Sequence, residues 1–71
     1  MDMTKREAAA IIRKAFKSAG WDPKGKVYSR RSDYFDELVV ELRYLDEDAR
    51  SEVEYAINNI PRNVNFSFEI E

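Results

Sequence analysis

Glu37-Leu38-Val39-Val40-Glu41-Leu42-Arg43-Tyr44-Leu45-Asp46-Glu47-Asp48-Ala49 changes its apolar period midway, and that change decides the fold. Over Glu37 to Leu45 the residues alternate between two faces, as in a strand. Leu38, Val40, Leu42 and Tyr44 fall on one face and are expected to point at the core; Val39, Glu41 and Arg43 fall on the other. From Asp46 the spacing becomes helical, with Ala49, Val53, Ala56, Ile57 and Ile60 on one stripe. Asp46 suits the N-cap, and Glu47 and Asp48 sit where the helix dipole favours anions. Asn58-Asn59 and Pro61 end this helix, because a residue before proline avoids helical backbone. Val64, Phe66, Phe68 and Ile70 then alternate with Asn65, Ser67 and Glu69, a half-buried strand.

Working outward toward the N-terminus, Thr4 and Glu7 have the spacing of a capping box. Ala8, Ile11, Ile12, Ala15, Phe16 and Ala19 follow with helical rhythm. Gly20 is placed to take the left-handed stop conformation, which sets Trp21 against Phe16. Asp22-Pro23-Lys24-Gly25 is a turn, Lys26 to Arg31 a strand, and Ser32 to Asp36 a hairpin loop. The order is α-β-β-α-β within a single domain, residues 1–71. The expected class is α+β: a three-stranded, mostly antiparallel sheet with both helices on one face. Placing the third strand beside the first makes every pair antiparallel and leaves strands 2 and 3 as the edges.

At 71 residues only a small core is affordable. The chain has no cysteine, so neither disulfides nor thiolate zinc can supplement that core. No long apolar run or secretory leader is evident, and cytoplasmic residence is the expectation. Charge is unevenly spread. Residues 1–31 hold nine Lys and Arg against three Asp and Glu, net +6; residues 32–71 hold three against eleven, net −8.

The same inventory argues against an enzyme. Without histidine or cysteine there is no Ser-His-Asp or Cys-His site, and two glycines cannot build a phosphate-cradling loop. Asp46-Glu47-Asp48 lacks the alternating spacing of a calcium loop and is accounted for by helix capping. We expect no cofactor and no metal.

Binding remains, with several candidate surfaces. The acidic half offers Asp46, Glu47, Asp48, Glu52 and Glu54, and the hairpin adds Asp33, Tyr34, Phe35 and Asp36. A strip of carboxylates can imitate a phosphate backbone and occupy a basic groove on another protein. Aromatics among charges are enriched at interface hot spots. The competing account is ordinary solubilising charge, with Tyr34 and Phe35 folded back to seal the core edge. A second surface is basic: Arg6, Arg13, Lys14, Lys17, Arg30 and Arg31 could neutralise phosphates, with Tyr28, Tyr34 and Phe35 to stack on bases. A sequence pI near 5.2 weighs against it. Pairing of two copies through a sheet edge is a third reading, giving a monomer or homodimer.

The helix ending near Ala19, then Val27-Tyr28-Ser29-Arg30-Arg31-Ser32, Glu37-Leu38-Val39-Val40-Glu41-Leu42, the acidic turn Asp46-Glu47-Asp48 and the second helix, resemble one small domain family. It is among the large polyvalent protein-associated domains of phage and mobile elements. The resemblance runs from Ala9 to Ile57. It departs at Asp33-Tyr34-Phe35-Asp36, where that family has an aromatic-containing Gly-rich hairpin, and after the acidic turn, which lacks that family's Gly-Pro. It implies a phage or mobile-element origin, a source whose small, acidic, cysteine-free proteins often resemble inhibitors of host defence, including anti-CRISPR proteins; the expectation is a binding protein that docks on a host protein, such as a nucleic-acid-binding defence complex. It carries over no functional residues.

Overall fold

The computed structural model describes residues 2–31 and 33–70; Ser32, in the expected hairpin loop, lies outside them. Helix α1 spans Lys5–Ser18, strands β1 and β2 span Val27–Arg31 and Asp36–Glu41, helix α2 spans Glu47–Asn58, and β3 spans Phe66–Glu69. The fold is α+β, in the order α-β-β-α-β, with a mixed sheet. Antiparallel pairing is the larger part of it: five register pairs join β1 to β2, and four parallel pairs join β2 to β3.

Both ends of α1 follow from side-chain and backbone chemistry legible in its sequence. The Glu7 amide donates to the Thr4 hydroxyl (3.1 Å) and the Thr4 amide to the Glu7 carboxylate (3.2 Å), a complete capping box. At the other end the Trp21 amide donates to the Phe16 carbonyl (2.9 Å) and the Gly20 amide to the Lys17 carbonyl (3.0 Å). These two bonds form a Schellman stop, with Gly20 at φ 86°. A Cβ at Gly20 would meet nothing within 4 Å, so its substitution costs backbone strain alone. Gly20→Ala is therefore expected to lose about 1–2 kcal/mol, read as a lower melting temperature with an unchanged circular dichroism spectrum.

Helix α2 begins as expected, the Ala49 amide donating to the Asp46 carboxylate (3.1 Å). The Asn59 side-chain amide closes its far end on the Tyr55 carbonyl (2.8 Å). Ala8, Ile12 and Phe16 of α1 and Val53 of α2 pack with Val27, Leu38 and Val40 of the sheet, and Ile60 and Val64 seal one end. Trp21 packs at the border of this core beneath the Lys26 ammonium, 5.1 Å from its ring centroid.

Five expectations are corrected. The third strand lies beside β2, not β1, in the sheet order β1-β2-β3, so the edges are β1 and β3. Leu38, Val39 and Val40 are all fully buried, and a strand apolar on both faces belongs at the centre. The α2 crossover supplies the long connection that a parallel neighbour needs. Strand β2 also stops at Glu41 rather than Leu45. There the Arg43 amide donates to the Glu41 carboxylate (2.9 Å), and Tyr44 turns the chain at φ 67°, which leaves its ring 75% exposed instead of in the core. Ile11, expected on the buried stripe of α1, is exposed because the helix buries Ala8, Ala9, Ile12, Ala15 and Phe16. Along β3, burial fades from Val64 to Phe68 and Ile70, which are both exposed.

The face of the sheet away from the helices is less open than its polar residues suggested. Arg30 reaches across the central strand, donating to Glu37 (2.7 Å) and to the Ser67 hydroxyl (3.0 Å), with Glu69 3.8 Å away. By strand alternation Val39 shares this face with Arg30, Glu37 and Ser67, and it is fully buried.

Candidate functional site

The hairpin tip and the N-terminus of α2 lie at opposite ends of β2. That strand carries the chain from Asp36 to Glu41, about 17 Å at 3.3 Å per residue. Asp33, Tyr34, Phe35 and Asp36 therefore form one cluster, and Asp46, Glu47 and Asp48 another. At the tip, Tyr34 is 92% exposed and Phe35 half exposed, so Tyr34 does not fold back over the core. Asp36 is engaged by Lys5 and Arg31, both at 3.6 Å. Phe35 borders a shallow groove with Met3, Lys5 and Asn63.

On α2 the carboxylates sort by helical angle. Glu54 pairs with Arg50 (3.2 Å) and lines a groove beside β3; Glu47, seven residues earlier, is on the same side. Asp48 and Glu52, one turn apart, share the outer stripe with Tyr55. Tyr55 is 72% exposed, an aromatic presented to solvent on an acidic helix face. The carboxylates were singled out from sequence, whereas Tyr55 was not. Its spacing of three from Glu52 and seven from Asp48 carries that signal.

Arg6, Arg13, Lys14 and Lys17 share one flank of α1, where Arg13 and Lys17 line a groove with Lys24, but the two hairpin arginines do not both extend that surface. Arg30 and Arg31, adjacent in a strand, point to opposite faces. Arg30 is held in the carboxylate network over Val39, which keeps its guanidinium pKa above its already high ordinary value, chiefly through the Glu37 hydrogen bond. Arg31 contacts Asp36. Arg13 donates to the Val27 carbonyl (3.3 Å) and so caps the outer edge of β1. Arg6, Lys14 and Lys17 remain on exposed positions of α1. Tyr28 pairs in register with Val39 and lies on the sheet face away from α1, where it cannot stack on a base held by that helix. Among the described residues no ion pair joins α1 to α2, so the charges of the two helices are not cancelled where they meet.

Glu41 has the most displaced carboxyl. Hydrogen bonding from Arg43, through Nε (2.9 Å) and Nη2 (2.7 Å), lowers its pKa to about 2. A depressed folded pKa contributes stability that is present above the unfolded value near 4.5 and lost as pH falls toward 2. Acid titration of the folded fraction should therefore steepen between those values, and Glu41→Gln should flatten that part of the curve. An unchanged slope would remove this pair from the acid response.

No protein-family model matches the chain, and neither a curated protein nor a solved structure matches it. No helix among the described residues is long and apolar enough to cross a membrane.

Proposed function

We propose that this domain is a non-catalytic binding module that docks on a basic surface of another protein through the outer face of α2. The observation that carries it is the stripe of Asp48, Glu52 and Tyr55, two carboxylates without a cationic partner among the described residues and a tyrosine 72% exposed. Like charges one turn apart disfavour an isolated helix by a few tenths of a kcal/mol. A cationic partner would turn that repulsion into attraction, and Tyr55 would supply the apolar anchor that acidic side chains lack. A basic groove that normally holds nucleic acid fits this chemistry, and inhibition by occupying such a groove is the functional form we favour. The hairpin tip, at the other end of β2, would join the same contact only on a partner long enough to span the domain.

Dispersal of Arg13, Arg30 and Arg31 into intramolecular contacts weighs against the nucleic-acid alternative. Immobilised domain passed through nuclease-treated bacterial lysate is expected to retain a basic protein. It should release that protein as salt approaches about 1 M, where the Debye length falls to about 3 Å. Retention of nucleic acid alone, lost on digestion, would move the site to α1.

A further inference from the structure

We propose that β3 is a self-pairing edge, and that two copies of this chain join through antiparallel addition of β3 to β3 about a twofold axis at Phe68. The backbone phase of the strand comes first. The Leu38 amide donates to the Asn65 carbonyl (2.8 Å) and the Leu42 amide to the Glu69 carbonyl (2.9 Å), so odd-numbered residues of β3 bond to β2. Phe66, Phe68 and Ile70 therefore turn their amides and carbonyls outward. Their side chains lie on the helix side of the sheet, where the Phe66 and Phe68 rings stack at 5.6 Å and Phe68 and Ile70 are 41% and 57% exposed. Backbone groups and apolar side chains of the same three residues are thus presented together.

The other edge is guarded. The Glu41 amide donates to the Lys26 carbonyl (2.8 Å), which leaves Val27, Ser29 and Arg31 facing out from β1. Arg13 already occupies the Val27 carbonyl, and Arg31 places a cation on the rim. With its axis at Phe68, the β3 pair sets Phe66 opposite Ile70 and Ser67 opposite Glu69. No like charges then face one another. An axis at Glu69 would oppose two carboxylates, and one at Ser67 would leave Ile70 outside the strand pair. The groove of about 380 Å³ beside β3, lined by Leu42, Ile57, Phe68 and Ile70 with Arg50 and Glu54 at its rim, would meet its twofold mate. Arg50 and Glu54 already pair with one another at 3.2 Å, so each rim meets its mate as a neutral pair. The closed isologous contact uses the one exposed β3 edge of each copy and does not propagate. Asp48, Glu52 and Tyr55 lie about a third of a helical turn away, so this pairing does not depend on the docking reading above.

Because the chain has no cysteine, a single Phe68→Cys substitution reads the axis directly. Residues opposed in a hydrogen-bonded antiparallel pair lie about 5.5 Å apart at Cα, within disulfide range. Phe68→Cys should therefore oxidise to a dimer under mild conditions, and Ser29→Cys should not. Sedimentation equilibrium of the unaltered chain should show mass rising with concentration, while Ile70→Lys, with an unchanged circular dichroism spectrum, stays a monomer. A monomer at the highest soluble concentration would overturn the proposal, as would crosslinking of Ser29→Cys as fast as Phe68→Cys.

Discussion

Replacing Phe16 with alanine is expected to remove a large share of the stability of this domain. Phe16 is fully buried and is the largest side chain of the core, packed where α1, α2 and the sheet meet. Loss of a buried phenyl ring costs about 3–5 kcal/mol, part lost transfer and part residual cavity. A domain of 71 residues has only roughly 4–10 kcal/mol in total. Chemical denaturation should show a midpoint lowered by the equivalent of about 3–5 kcal/mol; a loss below about 1 kcal/mol would mean that the core is assembled differently.

The second large effect is expected on the face that looked solvated. Val39→Ala should cost about 1–3 kcal/mol, the scale for a fully buried valine. A valine on an open polar face would give less than about 0.5 kcal/mol. The difference rests on Arg30, whose side chain crosses from β1 over β2 to Ser67 and Glu69. Arg30→Met, which keeps the aliphatic cover, should destabilise less than Arg30→Ala. Equal melting temperatures for Val39→Ala and the unaltered chain would show that the network does not shield the sheet.

These two sites divide what was legible in the sequence from what was not. The helices read well because their signals are local. Thr4 and Glu7, Gly20 with Trp21, and Asp46 before Glu47 each fix a terminus with residues only a few positions apart. The strands were legible as strands from their alternation, but their order was not. Pairing is a long-range choice, and the preference for uniform antiparallel neighbours overrode the one local clue, the uninterrupted Leu38-Val39-Val40. Tyr44 shows the same limit, because alternation continues through it while a two-residue salt bridge and a left-handed turn end the strand before it. The charged candidates were found as residue types but not as surfaces. Sequence proximity grouped Asp36 with Asp46, whereas β2 separates them by its whole length. Conversely, helical spacing brings Tyr55 onto the stripe of Asp48 and Glu52, which the count of carboxylates alone did not reveal.

The acidic stripe is best tested by opposed charge reversals against the protein retained from nuclease-treated lysate. Affinity would be measured for the unaltered chain, for Asp48→Lys with Glu52→Lys, and for Arg6→Glu with Lys14→Glu and Lys17→Glu, each confirmed as folded. The α2 reversal is expected to weaken binding by at least about tenfold, the scale of an interface hot spot, and the α1 reversal to leave it within about twofold, as for charges outside an interface. Full affinity in a folded α2 variant, with binding lost on reversing α1, would contradict the account and place the interface on the basic helix.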